Sequence, residues 1–414
     1  MNSNDPSAAP SKADKATVRR HNLSLVLRTV HDAGETTRAG VAARVGLTRA
    51  AVSSLVDQLL TEGFLTEWGK TFSGQAGRPG TALQVARTGP AGLGVEINID
   101  YVTVCVIDLA GTDRVRLVER TDNRGAPPAT VLARAARLAS RAIESAAEQK
   151  LRPVGAELAL PALVSGGSVR QAPNLGWNRV AVEGLFAQAL TALRPTQRAL
   201  PVSADNEANL AAMAELWFGD SDDRVTSFIY LTGEIGIGGA LVLNGQLLRG
   251  AHGFAGEIGH VVVEPDGPEC RCGARGCLEQ YAGQAALLRA AGLDESAGLT
   301  GLAELERRAR EGEPQALYAI EEAGRRLGRV LSGAVNLIDP DAVILGGVFR
   351  DLMPWLAPAA DEELTARVVS GLWTPGSKRL RASSSSGDAA RGAAARVVRE
   401  VLADPAAYVE RVAD

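Results

Sequence analysis

The sequence predicts an α/β protein: a small helical head at the N-terminus, then two lobes of strands and helices with a cleft between them. Three observations predict it. Residues 23–63 place apolar side chains at helical spacing in three short blocks divided by glycines. Beyond residue 90, runs of β-branched residues alternate with amphipathic stretches long enough for helices. That order of strands and then helices occurs twice, in two comparable halves.

Taken in order, residues 1–17 are mostly Ser, Ala, Pro, Asp and Lys, a composition expected to stay disordered. Leu23, Val26, Leu27 and Val30 then recur at i, i+3, i+4, i+7, and Gly34 closes that first helix. Thr37 is placed to cap a short helix over 38–45, with Val41, Ala42 and Val45 inward. Gly46 supplies a turn, and Thr48 caps a third helix whose inner face is Val52, Leu55, Val56, Leu59 and Leu60. Three short helices with a glycine turn between the second and third describe a helix-turn-helix. Beside the Thr48 cap, Arg49, Ala50, Ser53 and Ser54 point outward, and small or hydrogen-bonding residues are what a helix in a major groove presents. Strands at 64–67 and 83–85 flank Lys70 and the segment Gly77-Arg78-Pro79-Gly80, a wing with basic residues at its tip. A helical bundle used for protein contact would show a similar helical pattern. Charge is distributed unevenly: residues 1–87 hold 11 Lys and Arg against 7 Asp and Glu, while the remainder holds 33 against 41. A basic head on an acidic body is expected where only the head meets phosphate. The expected head, residues 18–87, binds double-stranded DNA.

Residues 88–92 (Thr-Gly-Pro-Ala-Gly) read as a linker. Leu93, Val95, Ile97 and Ile99 alternate strictly, and after a turn at 98–101 Val102, Val104 and Val106 do so again, with Cys105 as core packing. An amphipathic helix is expected over 129–147 and a buried strand over 155–160. A second unit opens at Pro201, with a strand at 202–204 and a helix from 205–209 through Glu215. A strand at 228–231 leads into the glycine-rich run 232–239, and a strand at 241–243 ends in an Asn244-Gly245 hairpin turn. Such glycines could cradle a phosphate, but no P-loop Lys-Ser/Thr follows them. The chain then reads as helical to Asn336, with a buried strand at 342–347 and a final helix over 389–402. The expected first lobe is 88–200 joined by a C-terminal segment 386–414, and the second is 201–385.

The most specific chemistry lies between Gly253 and Glu279. Three of the four cysteines, Cys270, Cys272 and Cys277, fall within eight positions, and His260 lies just upstream. Crowded cysteines in a chain without a leader pattern argue for metal before disulfide, and a Cys₃His set is what a structural tetrahedral zinc needs. Two carboxylates that zinc does not require, Glu257 and Glu279, sit beside these ligands. Paired carboxylates near a fixed imidazole suit a polyol, because each accepts hydrogen bonds from neighbouring hydroxyls.

The pattern Gly-x-Ala-Gly-Glu257-x-Gly-His260, followed by Cys270-x-Cys272-Gly-x-x-Gly-Cys277-x-Glu279, resembles the signature of the ROK family (repressors, open reading frames, kinases). The Gly-Arg-Pro wing also resembles the linker region of that family's repressors. The resemblance runs over nearly the whole chain from the first helix onward, and it is to the xylose-, glucose- or N-acetylglucosamine-responsive repressors. It implies a ribonuclease H-like, actin-like fold, with zinc and a sugar bound at this motif and His260 giving one ring nitrogen to each. It further implies sugar contacts from Glu257 and Glu279, from Asn206 and Glu207 in the segment 205–209, and from Asn174 in the loop 172–177.

Family members are either sugar kinases or repressors that keep the sugar site. Where the kinases carry Asp-x-Gly-Gly-Thr after the first strand, this chain has Glu96-Ile97-Asn98-Ile99-Asp100, which blocks close phosphate approach and adds like charge. Glu207 stands where the kinases place an Asp as general base, and its extra methylene shifts the carboxylate by roughly an ångström. The expectation is a non-enzymatic, sugar-responsive regulator of carbohydrate genes, acting as a homodimer or homotetramer on a palindromic operator. A ROK sugar kinase with an attached DNA-binding head is the alternative. No run of about 18 apolar residues and no signal-peptide pattern occur, so the expected place is the cytoplasm, away from membranes.

Overall fold

The computed structural model describes residues 15–71, 80–219, 224–374, 376–384 and 388–413. The head comprises α1 (Lys15–Ala33), a two-residue strand β1 (Thr36–Thr37), α2 (Arg38–Val45) and α3 (Arg49–Thr61), then β2 (Leu65–Thr71) and β3 (Gly80–Val85). Both threonine caps form: Thr37 Oγ1 accepts from Gly40 N at 3.1 Å and Thr48 Oγ1 from Ala51 N at 3.2 Å. The strands pair in the order β1-β3-β2, a winged helix-turn-helix whose tip, residues 72–79 with Arg78, lies outside the described residues. Helix α1 starts at Lys15, inside the segment expected to be disordered. Its first turns are anchored, since Arg19 donates to Gln58 and Arg20 grips Asp404.

The first lobe contains β4 (Gly89–Ile97), β5 (Tyr101–Asp108), β6 (Asp113–Arg120), α4 (Pro128–Glu148), β7 (Leu151–Leu160), a small sheet β8 (Leu163–Ser165), β9 (Ser168–Ala172) and β10 (Trp177–Val180), then α5 (Val182–Leu193) and β11 (Val202–Asn206). Its main sheet has the order β11-β7-β4-β5-β6. Two expectations change here. The expected linker is strand, with Gly89, Pro90 and Ala91 paired to Leu151, Arg152 and Pro153. The strand opening at Pro201 completes this first sheet, parallel to β7, rather than starting the second lobe.

The second lobe runs through α6 (Glu207–Phe218), β12 (Phe228–Gly233), β13 (Ile237–Leu243), β14 (Gln246–Leu247), α7 (Glu279–Ala282), α8 (Gln284–Ala290), α9 (Gly298–Arg310), α10 (Pro314–Ile338), β15 (Ala342–Gly347), α11 (Val348–Asp351), α12 (Met353–Arg367) and β16 (Leu380–Ala382). Its sheet order is β14-β13-β12-β15-β16. In both sheets the first strand in sequence is central. The next two extend antiparallel on one side and the last two run parallel on the other. This is the duplication expected from the two halves.

The chain then returns to the first lobe through α13 (Ala389–Ala403) and ends in α14 (Pro405–Ala413). Helix α13 lies so close to β4 that a Cβ on Gly92 or Gly94 would strike the carbonyls of Ala394 or Ala390. Gly92, which read as a linker residue, and Gly94 thus make room for a helix. Residues Leu27, Val30, Val56 and Phe64 of the head share one buried cluster with Cys105 and Ile107 of β5, with Ala394 and Val398 of α13, and with Tyr408 of α14. Head and body are one packed unit. Among the described residues no helix is long and apolar enough to cross a membrane.

Candidate functional site

Between the lobes, the turn after β4, β9 and the loop after it face residues of α6, the β12–β13 turn and the cysteine loop across a cleft with a cavity of about 110 Å³. The cysteine loop is a tight knuckle. Cys270 N donates to Ala274 O at 2.8 Å, Gly273 N donates to Cys270 O at 2.9 Å, and bridges at Val262–Cys277 and Glu269–Arg275 close its base. His260, at the end of a 3₁₀ turn Ile258–His260, lies against it.

One ligand atom from each of His260, Cys270, Cys272 and Cys277 lies within 4.8 Å of every other. Cys270 Sγ to His260 Nδ1 and Cys272 Sγ to Cys277 Sγ are both 3.7 Å. Ligands about 2.0–2.3 Å from a single zinc lie roughly 3.5–3.8 Å apart, so the donor set fits a tetrahedral ion. Burial and the neighbouring thiols push Cys277 up to about 12, and a divalent cation is what such a cluster needs in order to ionise.

With Nδ1 turned to the sulfurs, the other nitrogen of His260 faces the cleft, 3.8 Å from Glu257 Oε2. Burial raises the Glu257 carboxyl, and the facing imidazole opposes that rise. Glu279, at the start of α7, accepts from Ile237 N at 3.2 Å. It can reach that amide only because residue 236 is glycine, since a Cβ there would collide with Glu279 Oε2. The glycine-rich turn therefore cradles a carboxylate of this chain. Asn174 Oδ1 accepts from Arg271 Nη1 at 3.2 Å at the cleft edge.

Asn206 and Glu207 also line the cleft, in different states. The Asn206 amide is engaged at both ends: Oδ1 caps α6 through Ala208 N at 2.8 Å, and Nδ2 donates to Ala162 O at 3.1 Å. Glu207 is buried against Asn98 Nδ2 at 3.3 Å. It belongs to a group of acids that the sequence did not reveal as a group. Burial, reinforced by Glu234 and Glu96, holds the Glu207 carboxyl well above its usual range. Burial raises Glu234 to about 8 and Glu96 to about 7. Glu234 sits between two glycines of the β12–β13 turn, a placement that could have marked it.

Behind the lining residues Asn98 and Glu207, Tyr101 and Glu96 form the floor of the cleft, and a second unanticipated feature ties that floor to α13. Glu96 accepts from Tyr101 Oη at 2.6 Å and from Ala390 N, in the first turn of α13, at 3.3 Å. Farther along that helix, Arg396 Nη1 lies 2.8 Å from Asp205 Oδ2 and 3.2 Å from Glu157 Oε1. Asp205 directly precedes Asn206 and Glu207 and also holds Arg249 at 2.5 Å. At the far end of α13, Leu402 O accepts from Ser24 Oγ at 3.0 Å, and Asp404 binds Arg20 through both carboxylate oxygens. One helix touches the cleft floor at its start and the head at its end.

On the head, Arg49, Ala50 and Ser54 are exposed and Ser53 is half-buried. Thr48 spends its hydroxyl oxygen on the cap, so it orders the helix start. Arg38 Nη2 pairs with Asp57 at 2.7 Å and Glu67 at 3.0 Å, offsetting part of the acidic charge beside α3. Lys70 lies in β2 opposite Thr81, next to the bulge at Gly69.

Residues 92–400 match the model of the ROK family. A xylose repressor of Caldicellulosiruptor bescii is 30% identical over 344 residues, covering 80% of this chain and 83% of that one. The crystal structure of a ROK family transcriptional regulator, a homolog of the E. coli Mlc protein, superposes with a TM-score of 0.74 at 25% identity, covering 94% of this chain and 97% of that one. A ROK glucokinase from Streptomyces griseus, solved with glucose and AMPPNP, gives a TM-score of 0.61 at 27% identity and covers 75% of this chain and 99% of its own. The regulator matches nearly the whole chain, whereas the complete kinase leaves a quarter of it unmatched.

Proposed function

This chain belongs to the ROK family, and on that footing we propose that it is a sugar-responsive, DNA-binding transcriptional repressor and not a kinase. The observation that carries the proposal is α13, which joins the floor of the cleft to a winged helix-turn-helix packed in the same core. Glu257, Glu279 and His260 Nε2 take sugar hydroxyls, with Glu207 and Asn174 at the walls and Asn206 holding the α6 start in place. His260 Nδ1 and the three thiolates would hold a structural zinc, which would fix the imidazole and the loop that carries Glu279. Xylose is the first sugar to test, given the name of the similar repressor.

Phosphoryl transfer is disfavoured on two grounds. The segment Glu96-Ile97-Asn98-Ile99-Asp100 lacks the glycines that would let backbone amides approach a triphosphate closely. Burial and the neighbouring Glu234 and Glu96 favour the protonated form of Glu207, the form that cannot take a proton as general base. Sugar binding instead shifts the population of lobe arrangements, and α13 carries the shift to the head. A homodimer then changes the spacing of its two recognition helices on a palindrome.

The test is fluorescence anisotropy of the purified protein on its own upstream DNA, with and without a monosaccharide panel, alongside a coupled ATPase assay. Loss of DNA affinity with one sugar and no ATP turnover is expected. Sugar-dependent ATP turnover, or DNA affinity indifferent to every sugar, would overturn the proposal.

A further inference from the structure

A large, mainly apolar cavity lies apart from the sugar cleft. A cavity of about 670 Å³ lies on the first lobe, where the last turns of α4 and α5 meet the start of β7 and the ring of Tyr408 from α14. That volume is within the range of small-molecule sites, roughly 300–1,000 Å³. Ile143, Leu151, Pro153, Leu190 and Leu200 supply apolar walls. Four cations stand around it: Lys150, Arg152, Arg194 and Arg198. No carboxylate is among the lining residues; Glu144 reaches Arg194 from outside at 3.6 Å. Lys150 is held here by a left-handed backbone, φ 59°, at the turn between α4 and β7.

We propose that this cavity is a second effector site, taking an organic anion with an apolar body, such as a medium-chain or aromatic carboxylate. The walls bury the hydrocarbon, and the cationic rim supplies charge-assisted hydrogen bonds to the anion. The cavity also contacts the machinery of the head. Arg152 is bonded to the Tyr408 hydroxyl, and its guanidinium lies 5.5 Å from the centre of that ring. The Tyr408 ring packs edge-on against Phe64 of the head, with centroids 5.4 Å apart. An anion that takes Arg152 from Tyr408 therefore loosens the contact between α14 and the head. This input is independent of the sugar cleft. Its effect on DNA rests on the regulatory reading above, whereas the binding itself does not.

The test titrates the full chain with 8-anilinonaphthalene-1-sulfonate, an apolar anion whose fluorescence reports burial, and competes it with octanoate or octanol. One saturable site displaced by octanoate and not by octanol is expected. The rim double variant K150E/R198E, at two exposed positions, should weaken the dye roughly tenfold or more. Thr191→Trp, which fills the mouth, should abolish binding, with the melting curve of both variants unchanged. Native-like dye affinity in both variants, equal displacement by octanol, or no saturable binding would overturn the site. If binding holds while octanoate leaves DNA affinity unaltered, only the coupling to the head is refuted.

Discussion

Replacing Gly236 by alanine isolates one carboxylate of the cleft without touching a ligand of the metal. The residue has no positive φ, so the backbone accepts alanine without strain. The new methyl group would collide with Glu279 Oε2 and approach Asn174 Nδ2 to 3.3 Å. Glu279 is a flexible side chain and can swing away, so the fold survives. It would lose its bond from Ile237 N and its aim into the cleft. One charge-assisted hydrogen bond is worth about 1.5–3 kcal/mol, so sugar affinity should fall roughly 10- to 150-fold. Calorimetric titration with the sugar that most raises the melting temperature reads this directly, and metal analysis on the same sample checks that the zinc content is native. An affinity within about twofold of native would refute the placing of Glu279 on the sugar.

Three further outcomes are expected. Cys272→Ser, at the half-exposed thiol, should abolish zinc content and sugar-dependent stabilisation together; a zinc-free protein that still binds sugar normally would break that link. Arg49→Ala should cost about 1–3 kcal/mol of operator binding and relax its sequence preference, whereas Lys70→Ala should weaken all DNA alike and lower the salt slope by about one, both measured by anisotropy across salt concentrations. Glu96 has its folded pKa raised from 4.5 to about 7 by burial, so the native protein binds its proton more tightly than the unfolded chain does. Wild-type stability from this group is therefore lost as pH rises from about 4.5 through about 7, a cost of up to about 3 kcal/mol. Glu96→Gln should match wild type below that window and be the more stable above it; chemical denaturation at pH 4.5 and pH 8 checks the sign.

The local features of this protein were determined by its sequence. Thr37 and Thr48 cap because a hydroxyl beside free helix amides does so wherever it occurs, and both caps form where expected. The knuckle of Cys270, Cys272 and Cys277 is short enough that spacing alone brings the sulfurs together. The alternation of 93–106 likewise needed only a hairpin. Contacts between distant segments were decided by the tertiary structure. Gly89-Pro90-Ala91-Gly92 has the composition of a linker, yet it is a central strand, because β7 pairs with it and α13, some 300 positions on, needs the room that Gly92 and Gly94 leave. Glu96, Glu207 and Glu234 are ordinary acids along the chain, and only packing brings them together, where Glu96 and Glu234 raise Glu207's hold on a proton and Glu96 raises Glu234's. The final helices gave no sign that they run from the cleft floor to the head, for a helix records its buried face in its own period and not the identity of what covers it.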